Sequence, residues 1–162
     1  MYFIDLIDDH GRCVIPDGVT EIGRGAFLGC KGLTSIEIPN SVLKIGERAF
    51  EECVGLTSIE IPGSVTKIGE WAFGECEELT SIEIPDSVTE IGKNAFNSWR
   101  GLTSVFIRTH EKSPEVSKNT LYILSYFDSS IVTLKVPAGC GEAYRHHPDF
   151  EGKFKEILEV LD

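Results

Sequence analysis

The stretch LTSIEIP stands at residues 33–39, again at 56–62 and again at 79–85, and LTSVFIR at 102–108 is an altered fourth copy. The interval never varies. Pro16, Pro39, Pro62 and Pro85 are 23 residues apart, as are Leu33, Leu56, Leu79 and Leu102. The pairs Ala26-Phe27, Ala49-Phe50, Ala72-Phe73 and Ala95-Phe96 keep the same step, and so do Gly23, Gly46, Gly69 and Gly92. Segments 39–61 and 62–84 agree at 17 of 23 positions. A fixed period in the twenties marks a solenoid in which each repeat is one coil.

The positions within the period divide the work. In LTSIEI the alternation of Ile36 and Ile38 with Ser35 and Glu37 is that of a strand with isoleucines inward and polar residues outward. Pro39 lacks the N–H a longer ladder needs, so the strand ends there. Turn formers follow, then Val42 and Ile45 return to the core, and Gly46 permits the next bend. Ala49-Phe50 is expected in a short helical turn, the alanine allowing close approach and the ring filling the coil. One coil has no second face to bury its apolar side chains against, and stacking provides it. The expected core is Phe27, Phe50, Phe73 and Phe96, with Leu33, Leu56, Leu79 and Leu102 and the small side chains Cys30, Cys53 and Cys76. Trp99 takes the fourth place in the cysteine column.

The unit LTSIEIPxSVTxIGxxAFxxCxx resembles the BspA-like leucine-rich repeat family over about residues 12 to 107. VPAGCGEAY at 136–144, followed by FKEI at 154–157, resembles the C-terminal cap of such proteins from gut and oral Bacteroidetes. The resemblance implies a mostly β leucine-rich-repeat solenoid with short helical or 3-10 turns, a parallel sheet on one face and caps at both ends. It also implies adhesion or host-component binding by surface proteins. Where ordinary leucine-rich repeats carry asparagine after the strand, this chain has Ser41, Ser64 and Ser87, whose hydroxyls can make part of the same backbone hydrogen bonding.

The expected organisation is a hairpin cap at 1–15, four repeats at 16–107 and a C-terminal cap at 108–162. The hairpin pairs residues 2–7 with 12–15, aligning Cys13 with Ile36 and Val14 with Glu37. Residues 108–120 read as a loop, 131–136 as the last strand rung, and 139–147 as a short helix halted by Pro148. The segment 153–160 reads equally as helix or strand.

The chain has 162 residues, 41% of them hydrophobic, a formal charge of −11 and a pI near 4.8. That sign of field repels phosphate backbones and anionic membranes, so nucleic acid is not an expected partner. No apolar run is long enough to span a bilayer. The amino terminus does not read as a secretory leader, so either the protein stays inside or a leader has been removed. Five cysteines, an odd number, argue against a fully paired disulfide framework.

The candidate partner-binding residues are Glu37, Glu60 and Glu83, bordered by Ser35, Ser58 and Ser81, with Phe106 continuing the row and Trp71 at a variable outward position. An acidic strip attracts a basic protein or a divalent cation; the same strip also serves solubility alone. The string EAYRHHPD sets Glu142 and His146 one turn apart with Asp149 nearby, but no catalytic or metal motif is present. His10 and His110 stand apart from it. The expectation is a non-enzymatic monomer without cofactor or metal that binds a protein partner, basic in character, through its strand face. The alternatives are an intracellular or phage-type module with one cognate protein, and a cation- or glycan-binding module.

Overall fold

The structure is a computed structural model describing residues 3–108, 132–148 and 151–160. Its chain winds as a succession of short strands. These are β1 (Arg12–Val14), β2 (Glu21–Ile22), β3 (Ser35–Glu37), β4 (Lys44–Ile45) and β5 (Lys67–Ile68). They are followed by β6 (Ser81–Ile84), β7 (Glu90–Ile91), β8 (Ser104–Ile107), β9 (Thr133–Pro137) and β10 (Glu156–Val160). All ladders are parallel, as a solenoid requires.

The front face carries β1 paired with β3, and a four-stranded sheet in the order β10-β9-β8-β6. Between them lies the copy at 56–62, which forms no strand although its heptapeptide is identical to its neighbours. Local propensity therefore does not set the difference. Alternation holds along the strands: Ile36, Ile82 and Ile84 are buried, while Glu37 and Ser81 are exposed. Cys13 pairs with Ile36 and Val14 with Glu37. A second ladder, β2-β4-β5-β7, adds a narrow sheet that the sequence reading did not contain. Its inward residues Ile22, Ile45, Ile68 and Ile91 are buried.

The turn holding each phenylalanine is a third zone of contact between coils. Alternate N–H groups go to different places. Gly25, Phe27 and Gly29 donate to the carbonyls of Glu47, Ala49 and Glu51 in the next coil, at 2.9, 2.8 and 2.8 Å. Ala26, Leu28 and Cys30 donate three residues back within the coil. The expected helical turn thus survives only on every second residue, the others being spent on stacking. This path needs two left-handed residues per coil. Gly25 and Gly29 supply them in the first, but Arg48 and Glu52, Trp71 and Glu75, and Asn94 and Ser98 supply them later, with φ between 55° and 63°. Each costs about 1–2 kcal/mol, offset by the bonds the path permits.

Phenylalanine rings fill the coil interior as a near-parallel stack: Phe3, Phe27, Phe50, Phe73 and Phe96, with centroids 5.1–5.8 Å apart. Leu33, Leu56, Leu79 and Leu102 are buried beside them. Trp99 meets Phe96 edge-on at 5.5 Å and closes the stack.

The ends differ in detail from expectation. The first arm of the N-terminal hairpin is a 3-10 turn, Ile4–Leu6, joined to β1 by a single antiparallel bridge between Ile7 and Cys13. Asp8 organises the turn, its carboxylate accepting from the N–H groups of His10 and Arg12, which lowers its pKa. At the other end β9 is not the last rung, because the ambiguous segment is strand β10. A helix, Gly141–Arg145, joins the two, and the Glu159 carboxylate accepts from the N–H groups of Gly139 and Gly141. The loop expected at 108–120 lies, from residue 109, outside the described residues.

Gly46, Gly69 and Gly92 serve a purpose other than the bend. A Cβ at Gly69 would lie 2.5 Å from the backbone nitrogen of Glu47, and one at Gly92 would lie 2.2 Å from that of Glu70. The glycines let coils touch backbone to backbone, their own N–H groups reaching the carbonyls of Ile22, Ile45 and Ile68 at 2.7–2.8 Å. Gly69→Ala should therefore cost about 1–3 kcal/mol by overpacking. Gly63→Ala, with open space around it, should be nearly neutral. Urea unfolding of the two variants checks this, and equal midpoints would contradict it.

Candidate partner-binding face

Each outward row of the front face is one column of the repeat. The central row runs Val14, Glu37, then Glu83, Phe106, Lys135 and Leu158 in ladder register, with Glu60 at the unpaired copy between Glu37 and Glu83. The glutamates do not form the continuous acidic strip expected from sequence. Arg12 pairs with Glu37, and Arg108 pairs with Glu83. Arg108 also lies over the Phe106 ring, 5.2 Å from its centroid. Glu60 alone of the three carries no ion pair among the described residues. Two of the three charges are thus met by arginines from the flanking rungs, and the row reads apolar, neutralised, acidic, neutralised, aromatic, basic, apolar.

Ser35, Ser58 and Ser81 border this row. Trp71 does not. It sits in the turn that bears Phe73, half-buried, with its ring against Gly74. Its indole belongs to another side of the coil from the strand residues it was grouped with.

Beside the row a groove opens along the proline ends of the first three rungs. It is lined by Val14, Ile36 and Ile38, by Pro16, Pro39 and Pro62, and by the carboxylates Asp17, Glu37 and Glu60. It opens where the front sheet is interrupted. Ser58 to Ile61 make no backbone–backbone hydrogen bond among the described residues, so the second and third rungs part there.

The second ladder carries Glu21, Lys44, Lys67 and Glu90 in one row. The adjacent lysines turn apart, Lys44 to Glu21 at 2.7 Å and Lys67 to Glu90 at 2.6 Å. These exposed pairs contribute at most about 1 kcal/mol each. The serines after the strands bond between coils. Ser41 donates to the Val19 carbonyl at 2.8 Å, and Ser64 and Ser87 donate to those of Val42 and Val65 at 2.7 Å.

The cysteine column has a polar task. Cys53 Sγ donates to the Phe27 carbonyl and Cys76 Sγ to that of Phe50, both at 3.1 Å. Trp99 Nε1 makes the same bond to Phe73, which explains a tryptophan in a cysteine column. Cys30 departs from the expected burial: it is half-buried. The cysteines are all free. Burial raises the Cys13 thiol to about 11 and Cys76 to about 12, and raises Cys30 and Cys53 as well.

Among the described residues, the contacts of His146 are those of an exposed surface pair. Glu142 is shared between Arg145 at 2.8 Å and His146 at 3.1 Å, both on the exposed side of the helix. Asp149 and His110 lie outside the described residues. Among the described residues no three His, Cys, Asp or Glu side chains gather as metal ligands, and no helix is long and apolar enough to cross a membrane.

The family model for the BspA type leucine rich repeat region matches residues 10–122, in six copies. Among solved structures, a leucine-rich repeat protein from Bacteroides ovatus is similar at 28% identity and TM-score 0.59, over 91% of this chain and 37% of that one. A leucine rich cell surface protein from Faecalibacterium prausnitzii is similar at 27% identity and TM-score 0.60, over 93% and 32%. The pneumococcal vaccine antigen PcpA shares the fold at 21% identity and TM-score 0.73, over 93% and 42%. The chain thus spans about two fifths or less of the length of each. Comparison with curated proteins gives no match.

The raised thiols set a pH dependence. A thiol held neutral in the fold contributes stability that is full below the ordinary range near 9 and is lost as pH rises towards 11–12. Unfolding midpoints should fall between pH 8.5 and 11, and fall less in Cys76→Ala; an identical fall in both proteins would contradict the assignment. Trp99→Phe, which strips the Phe73 carbonyl of its donor, should cost about 1–3 kcal/mol in the same assay.

Proposed function

This chain belongs to the BspA-type leucine-rich repeat family, and from that membership we propose that it is a rigid, non-enzymatic recognition module that binds a protein partner through its front strand face. Leucine-rich repeat solenoids serve as scaffolds for protein interaction, and the described residues offer no catalytic grouping that competes with this reading. The observation that carries it is the central row. Its buried side holds an unbroken apolar core, while its exposed side varies from rung to rung through Val14, Glu60, Phe106, Lys135 and Leu158. Apolar and aromatic groups set among charges of both signs suit a protein surface better than a cation, because two of the three glutamates already hold arginines. Surface display is the favoured setting, since one similar structure is a leucine rich cell surface protein.

The partner is expected to be engaged by the row rather than by the second ladder, whose lysines are already paired. Immobilised wild-type protein should retain a specific protein from host or bacterial extracts. The combined variant Glu60→Lys, Phe106→Ala and Lys135→Glu should lose it, while Lys67→Gln on the second ladder should keep it. Full capture by the combined variant, with its fold intact by circular dichroism, would contradict the assignment of the face.

A further inference from the structure

Building on the front-face reading, we infer that the groove along Pro16, Pro39 and Pro62 is a docking site for an extended peptide segment of a partner protein that carries two basic side chains beside an apolar one. The groove combines three features. Its lining is partly apolar: Val14 is 49% exposed although it stands in a strand, Ile38 is half-buried, and Ile36 shows only 7% of its surface. Of its carboxylates, Asp17 and Glu60 have no ion pair among the described residues, whereas Glu37 between them is met by Arg12. Its position coincides with the interruption of the front sheet at residues 58–61.

The dimensions select the occupant. Two rung steps of about 4.8 Å and three residues of about 3.3 Å along the strand give a diagonal of about 14 Å, which holds about four residues of an extended chain. Asp17 belongs to the first rung and Glu60 to the third, and Asp17 stands three positions past Val14, the equivalent of Glu60, so the two carboxylates lie on a diagonal, two rungs across and three residues along. Two lysines or arginines flanking about three residues reach both, while an intervening leucine or valine covers the exposed Val14 and half-buried Ile38. A metal ion fits poorly, because Arg12 already takes Glu37 and no group of three metal ligands exists among the described residues. An anionic ligand is repelled by the same carboxylates. A lysine or arginine head laid against Asp17 or Glu60 loses little, because these carboxylates are exposed and their pairing takes no charge out of water.

The test uses a labelled peptide of about six residues alternating lysine with leucine, and its counterpart with glutamate in place of lysine. Fluorescence anisotropy with the whole protein should show binding of the lysine peptide, weakening as salt is raised, and none of the glutamate peptide. Glu60→Lys and Asp17→Lys should each weaken binding about tenfold or more, while Lys67→Gln on the second ladder should leave it unchanged. Both groove residues are exposed, so melting temperatures close to wild type are expected and confirm that the fold is kept. Equal binding of the two peptides, no binding of either, or indifference to both groove substitutions would overturn the groove. If the combined front-face variant still loses its protein partner in that case, the front face stands and only the groove falls. If the partner is retained by that variant, the face itself has failed.

Discussion

The constraint on which the rest depends is that each circuit brings the chain back directly over its own equivalent position. Three sets of contacts enforce it. Front-face strands pair in register, the two-residue second ladder pairs on another side, and alternate N–H groups of the phenylalanine turn reach the next coil. Glycines at 46, 69 and 92 remove the one atom that would hold the coils apart. With register fixed, like must lie on like. Phenylalanine stacks on phenylalanine and isoleucine on isoleucine, and a thiol or an indole meets the same carbonyl type one coil earlier.

Stacking of equivalents has a price at the surface, where like charges also come into file. The molecule resolves this in two ways. On the second ladder the row reads Glu21, Lys44, Lys67, Glu90, so each lysine has a carboxylate on one side. On the front face Arg12 and Arg108 enter from rungs at the margins of the repeat and meet the outer two glutamates. Among the described residues, the glutamate of this row left without an ion pair is Glu60, next to the parted rungs and the groove. The face therefore presents a localised acidic feature in a mixed surround rather than a uniform strip, and that localisation gives the surface a specific shape to recognise.

Much of the fold was legible because the repeat prints each structural job many times. The strand alternation of Ile36 and Ile38, the proline stop, the inward phenylalanines and the serine bonds all follow from residues that recur in register. Other features leave no such mark. The left-handed positions are glycines in the first coil, but arginine, tryptophan, asparagine, serine and glutamate afterwards, so composition hides them. The second ladder is only two residues long in each coil, too short for alternation to reveal. Arg12 aligns with Ser35, one rung before the first glutamate, and that column alignment was a usable signal. Arg108 stands just past Ile107, where the period ends, and its pairing with Glu83 depends on three-dimensional reach. The interruption at 58–61 had no signal at all, since its sequence equals that of its neighbours. Trp71 was read from its variable column as a binding anchor or as a ring packed on its neighbours, and it lies half-buried against Gly74.

Native-state amide hydrogen exchange measures the register most directly. If equivalent positions lie coil upon coil, the amides of Phe27, Phe50 and Phe73, bonded to the next coil at 2.7–2.8 Å, and of Gly46, Gly69 and Gly92, bonded to the one before, will be among the slowest to exchange. They will also share a common opening free energy. Exchange of these six amides at the rate of exposed turn residues, or protection confined to a single coil, would contradict the account.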